Sequence, residues 1–187
     1  MPRILVTGSE GMIGKKLVDR LRLENHADEI ETIDKKHGRD IMELKSGEFE
    51  IIYHLAAQVS VDYSIANPVE DARSNILPTI HLAKTFPNSC IIYPGSAASL
   101  DVKSPYGLSK KTAQEFLKLL SNDYVICILP NIFGVGNAVV ERFLKEEELT
   151  IYGDGGQKRD FVHIDDLVEG LILAQDWPKG EYCLGSG

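Results

Sequence analysis

The stretch Thr7-Gly8-Ser9-Glu10-Gly11-Met12-Ile13-Gly14 constrains the fold of this chain more than any other. Glycines recur at every third position between an apolar run, Arg3–Thr7, and an amphipathic segment, Ile13–Leu23. A strand must therefore turn sharply into a helix here, and glycine permits both the turn and a close approach to the backbone. By itself the spacing also suits a plain tight turn. A second observation narrows it: Asp34 closes another apolar run twenty residues after Gly14. Together they describe a dinucleotide seat, with a pyrophosphate on the positive helix N-terminus and an acid for a ribose hydroxyl. An acid at that place repels a 2′-phosphate, so NAD is expected over NADP, a preference that Lys35 and Lys36 weaken.

The remainder of the chain repeats this alternation. Short apolar runs at Glu29–Ile33, Ile51–Leu55, Cys90–Tyr93, Tyr124–Leu129 and Glu181–Leu184 read as further strands. Val69–Thr85, Pro105–Leu120 and Asp165–Ala174 read as helices, Pro105 suiting a helix start. The expectation is an α/β doubly wound parallel sheet in three layers, a Rossmann domain. The 187 residues suffice for one domain with a sizeable core. A net charge of −8 argues against nucleic acid or an anionic membrane as partner, and no apolar run reaches a membrane span. Cys90, Cys127 and Cys183 lie in apolar runs and read as buried thiols, with no metal site and no disulfide expected. A cytoplasmic protein follows from these features. Glu146-Glu147-Glu148 reads as a solvated helix end.

Tyr106 and Lys110 are spaced four apart in a segment with helical pattern, which stacks them on one face about 5–6 Å apart at Cβ. A lysine ammonium there is expected to favour the phenolate and lower the tyrosine's pKa from about 10, giving a proton exchanger for an alcohol. Ser96, ten residues earlier, is a candidate partner, though a loop serine beside a helix cap explains it equally.

With these residues in place, the sequence resembles the extended short-chain dehydrogenase/reductases, in particular their nucleotide-sugar epimerase branch. The resemblance rests on Gly8-x-x-Gly11-x-x-Gly14, Asp40-Ile41, His54-Leu55-Ala56-Ala57, the series Ser64, Pro68, Asn75, then Ser96 and Ser104-Pro105-Tyr106-Gly107-x-Ser109-Lys110. Asn131-x-Phe133-Gly134, Tyr152-Gly153-Asp154-Gly155 and Arg159–Asp166 extend it towards the C-terminus. It implies cofactor contacts from the glycine loop with Met12 and Ile13, from Asp34, Asp40 and Ile41, and from Leu55, Ala56, Ala57 and Gln58. Asn75, Tyr106, Lys110 and Pro130 complete that set. It further implies Tyr106 as acid–base group, Lys110 as ribose holder and Ser96 as a hydrogen-bond partner of the reacting oxygen, with Asn131 and Arg159 on the substrate. For Arg159 taken alone, a surface ion pair is an equal reading. His54 and His163 read as structural, His163 at the end of a short strand before a helix capped by Asp165.

The departures from this branch are specific. Ala97-Ala98 stands where its dehydratases carry Asp-Glu, and the glutamate of its decarboxylases is absent, so both reactions are disfavoured. Five residues separate Asp34 from Asp40, too few for the branch's third strand and the helix before it. The chain ends where the branch continues into its substrate lobe, which leaves a rudimentary substrate-binding segment at about 131–187 of the single domain 1–187. The expected activity is an NAD-dependent nucleotide-sugar epimerase of the UDP-glucose/UDP-galactose type, acting as a homodimer. A keto-sugar reductase and a non-enzymatic NAD-binding module stand as alternatives.

Overall fold

The computed structural model describes residues 2–23, 30–45, 47–134, 139–145 and 153–185. Among them are eight strands: β1 (Ile4–Thr7), β2 (Ile30–Ile33), β3 (Ile51–His54), β4 (Cys90–Ser96), β5 (Asp123–Leu129), β6 (Asn131–Phe133), β7 (Phe161–His163) and β8 (Gly180–Cys183). The helices are α1 (Met12–Leu23), α2 (Val61–Ala66), α3 (Pro68–Asn75), α4 (Leu77–Thr85), α5 (Pro105–Leu120), α6 (Val139–Lys145) and α7 (Ile164–Leu173). Six strands form one all-parallel sheet in the order β2-β1-β3-β4-β5-β8, and β6 and β7 make a small parallel pair beside it. This is the Rossmann-like α/β architecture expected. The sheet ends at β2, so no strand lies beyond it among the described residues, in keeping with the five-residue link from Asp34 to Asp40.

The central strands β1, β3, β4 and β5 are largely apolar because both their faces are covered. Ile4, Val6, Tyr53, Ile92, Val125 and Cys127 point into a core shared with Leu17 and Leu21 of α1 and Leu167 and Leu171 of α7. The residues between them, Leu5, Ile52, Ile91, Ile126 and Ile128, enter a second core with Leu82 of α4 and Leu117 of α5. The two-residue period of a strand thus feeds two helical layers, each buried side chain contributing about 1.5–3 kcal/mol.

Four local differences from the sequence reading have clear causes. The helix expected over Val69–Thr85 breaks at Ile76 between α3 and α4, because Pro78 has no N–H and its ring would strike the carbonyl one turn back. The short helix α2 is started by Ser60, whose hydroxyl accepts from the Tyr63 amide at 3.2 Å. The cap of α7 is His163, whose Nδ1 accepts from the Asp165 amide at 3.3 Å, rather than Asp165 itself. Cys183 is exposed on the edge strand β8, whereas Cys127 is buried and Cys90 partly so. Residues 146–152, with the glutamate run and Tyr152, lie outside the described residues.

Candidate functional site

The strand order reverses between β1 and β3, and connections leaving on opposite sides open a crevice at the carboxyl ends of those strands. A cleft of about 330 Å³ occupies it, lined by Gly8 and Gly11 of the glycine turn, by Asp34, Asp40 and Ile41, and by the Leu55–Gln58 segment after β3.

The three glycines have different duties. Gly8 has a φ of 69°, and a Cβ there would lie 2.6 Å from the Ala56 nitrogen. A Cβ on Gly14 would lie 2.2 Å from the Gly8 carbonyl oxygen, so the first turn of α1 packs directly on the loop. Gly11 is different: a Cβ there would meet only the Gly8 oxygen, at 3.1 Å, and otherwise project from the loop that lines the cleft. Its missing side chain leaves the loop open at the cleft. Asp34 is fixed at the cleft wall, accepting from the amides of Lys36 and Glu10, both at 2.9 Å. Asp40 accepts from the Met42 amide at 3.0 Å and pairs with Lys35 at 3.6 Å. A glycine turn at a helix N-terminus with an oriented acid on its wall fits a dinucleotide.

Other predicted contacts lie beyond the cleft wall. Met12 is exposed at the start of α1, and Ile13 packs against the core. Pro130 follows β5, with its Cγ 3.7 Å from where a Cβ on Gly185 would be. Asn75 acts through Gln58, whose amide it accepts at 2.8 Å. Sequence reasoning missed Arg39, Ser74 and Pro78, which also line the cleft, as do Lys35 and Lys36. Their only sequence signal is proximity to Asp34 and Asn75.

On the far side of Gln58 the structure brings Ser96, Tyr106 and Lys110 together. Ser104 caps α5 through a 3.1 Å bond from the Gly107 amide, and Pro105 starts it, which sets Tyr106 on the first turn. Ser96 ends β4; its Oγ accepts from the Ala98 amide at 3.2 Å, and its side chain is near enough to the Tyr106 phenol to favour the ionised form. The bond to Ala98 is the cap that one reading of this serine expected. Lys110 is 4% exposed, donates to the Pro94 carbonyl at 2.7 Å and lies 4.1 Å from the centre of the Tyr93 ring.

The electrostatics correct one expectation. The Tyr106 phenol is raised above its ordinary value, first by burial, against which the Ser96 hydrogen bond works. Lys110 does not lower it as the spacing suggested, because its ammonium turns to the Pro94 carbonyl and burial brings its own pKa down to about 7. His54 is structural, as expected. It lies between Thr7 Oγ1 at 2.9 Å and Thr79 Oγ1 at 3.1 Å, and burial lowers its pKa to about 3.

Asn131 and Arg159 stand apart from this cluster. The Asn131 side-chain amide donates to the Asp160 carbonyl at 3.3 Å, and exposed Arg159 donates to the Lys158 carbonyl at 3.1 Å.

The sequence matches the model of the NAD dependent epimerase/dehydratase family from residue 4 to residue 183. The chain belongs to that family. Its cofactor is NAD, and the cleft is the feature of this structure that suits it.

A putative UDP-glucose 4-epimerase of Methanocaldococcus jannaschii is 28% identical over 98% of this chain and 77% of its own length. The aligned span, 234 positions, exceeds the 187 residues here, so that relative carries internal segments this chain lacks. Among solved structures, UDP-glucose 4-epimerase of Thermotoga maritima with UDP-glucose superposes with a TM-score of 0.76. It is 27% identical over 97% of this chain and 76% of that one. The fold is shared as well with dTDP-4-dehydrorhamnose reductase of Bacillus anthracis in complex with NADP (TM-score 0.82, 22% identity, all of this chain and 75% of that one). No helix among the described residues is long and apolar enough to cross a membrane.

Proposed function

We propose that the chain is an NAD-dependent nucleotide-sugar epimerase that interconverts UDP-glucose and UDP-galactose or a close analogue. The observation that carries this reading is Tyr106 on the first turn of α5, with Ser96 close to its phenol and buried Lys110 one turn on, tied through Asn75 and Gln58 to the cleft. When bound, NAD supplies a hydride acceptor and a positive ring that favours the Tyr106 phenolate. Tyr106 takes the proton of the sugar C4 hydroxyl as that carbon is oxidised and returns it to the same oxygen on reduction. The Ser96 hydroxyl fixes the line of that transfer, and Lys110 holds the ribose end of the cofactor. Asp34 receives the adenosine ribose, with Asp40 and Ile41 beside it, and Asn131 and Arg159 reach the substrate.

Elimination of water or of carbon dioxide lacks its acid here, since the turn after Ser96 is Ala97-Ala98-Ser99. The relatives named as UDP-glucose 4-epimerases support the choice of nucleotide and sugar. The assembly in this reading is a homodimer through α3–α5, where Val69, Leu77, Leu108 and Phe116 are exposed.

The test has two parts. Denatured protein should release NAD in stoichiometric amount, and native protein should convert UDP-galactose to UDP-glucose without added cofactor. Protein that holds NAD but exchanges no hydride with any UDP-sugar would refute the reading. A second reading, a keto-sugar reductase with exchanging cofactor, is favoured by Lys35, Lys36 and Arg39 on the cleft wall beside Asp34. Consumption of added NADPH with a 4-keto sugar, with no conversion of UDP-galactose, would establish it instead.

A further inference from the structure

Asp71 was not among the residues the sequence singled out, yet it is the carboxylate buried most deeply beside Tyr106 and Lys110. It lies on α3 with no exposed surface. Its Oδ1 accepts from Gln58 Nε2 at 2.7 Å and from Asn75 Nδ2 at 3.1 Å. Asn75 in turn accepts from the Gln58 amide at 2.8 Å and donates to Ser109 Oγ at 2.9 Å, and that hydroxyl donates to the Tyr106 carbonyl at 3.0 Å. One side chain thus ties the cofactor cleft, through Gln58, to the first turn of α5. Its second oxygen, Oδ2, is equally buried and has no hydrogen-bond partner among the described residues.

A carboxylate oxygen left in this state costs free energy unless something else compensates it. The compensating feature is close by. Lys110 is 4% exposed on α5, the helix that Asn75 and Ser109 link to Asp71, and its one hydrogen bond among the described residues is to a neutral carbonyl. Two opposite charges buried in one region offset part of each other's desolvation. Resting on the reading of Tyr106 and Lys110 as the reacting pair, we propose that Asp71 is a positioning residue: the buried counter-charge of Lys110 and the clamp that holds Gln58 and Asn75.

The field of Asp71 acts in one direction on both partners. It holds protons on Lys110, against the burial that removes them, and it opposes ionisation of Tyr106. The other ionisable groups near Tyr106 and Lys110 are Tyr93 of β4, raised by burial, and neutral His54 of β3. On α3 itself Glu70 and Arg73 pair with each other at the surface, at 2.8 Å, so neither serves as the counter-charge. Asp71 therefore lets a lysine stay charged in a region that would otherwise neutralise it.

The test is a titration of Lys110 in the full chain by carbon-13 NMR of labelled lysine, its Cε signal identified by its loss in Lys110→Ala. Asp71→Asn keeps an acceptor oxygen for Gln58 and Asn75 and removes only the charge. It should move the Lys110 midpoint downward by about one pH unit, and Asp71→Glu should restore it. An unmoved midpoint in folded Asp71→Asn overturns the proposal, since a purely structural residue would leave it unmoved. Should Asp71→Asn not fold, the Asp71 carboxyl carbon of the wild-type chain gives the answer. Its signal should show an inflection at the Lys110 midpoint, and a flat trace there overturns the proposal. Neither readout depends on turnover, so a coupled pair in a protein that converts no UDP-sugar would sink the functional reading and leave this one standing.

Discussion

Gly14 sits so close to Gly8 that a Cβ on it would lie 2.2 Å from the Gly8 carbonyl oxygen, while a Cβ on Gly11 would meet that oxygen at 3.1 Å. The two positions therefore separate packing from binding. Gly14→Ala must push α1 off the loop and should cost about 1–3 kcal/mol of stability, together with bound NAD. Gly11→Ala should change stability by no more than about 0.5 kcal/mol yet weaken NAD at least about tenfold. Thermal melts and the NAD content of the purified variants distinguish these outcomes. Equal melting losses in both variants would refute the division of duties.

Lys110 should make the protein less stable at neutral pH than its core warrants. Its folded pKa, about 7, lies below the ordinary lysine value of 10.5, so the unfolded chain binds more protons between the two. Stability from this group must then rise with pH across that window, and the penalty is complete below pH 7. Lys110→Met removes this pH dependence, so its melting temperature relative to the wild-type chain should be highest at pH 6.5 and fall as pH approaches 10. The same variant should lose epimerase activity. A difference that is constant with pH would show that the lysine is not buried as a charge.

The roles proposed for Tyr106 and Ser96 differ in size. Tyr106→Phe removes the proton exchanger and should lower turnover of UDP-galactose by about 10²–10⁴-fold. Ser96→Ala removes one hydrogen bond to a charged oxygen, worth about 1.5–3 kcal/mol, and should lower turnover by roughly tenfold to a hundredfold. Both variants should keep their NAD, because neither residue lines the cleft. Loss of NAD in either would place that residue on the cofactor rather than on the substrate.

The three cysteines should report the sheet edge. Cys183 is exposed, whereas burial raises both Cys90 and Cys127 to about 12. A disulfide reagent at pH 8 should titrate one thiol quickly in native protein and the other two only after denaturant is added. Two fast thiols would mean that β8 does not cover its neighbour β5.

Most of the sheet was legible because parallel strands buried on both faces write themselves as continuous apolar runs, and Ile4–Thr7, Ile51–His54 and Asp123–Leu129 are such runs. The pair β6 and β7 was not legible in full, since three residues carry no period, although His163 was expected to close a short strand. The break between α3 and α4 had a signal in Pro78 that the surrounding helical pattern outweighed. Cys183 looked like a core thiol because an edge strand and a central strand share the same composition. Of the proposed site, the glycine turn, Asp34, Tyr106 and Lys110 were all singled out by spacing. Asp71 was not, because an acid four residues before an asparagine looks like any other helix surface position.

What the sequence by itself determined was the set of chemical parts and their local geometry. Glycine spacing dictates a turn that only one backbone path can satisfy, and a Tyr-x-x-x-Lys step in a helix places two side chains on one face. Those constraints act within a few residues, where covalent geometry fixes distances. What only the tertiary structure decided was charge and burial. The Lys110 ammonium points at a carbonyl of β4 instead of at Tyr106, the charge of Asp71 acts on both from another helix, and the Tyr106 phenol rises rather than falls. Such properties depend on which side chains close over a group from distant parts of the chain. Desolvation acts through that enclosure, which no spacing along one segment encodes.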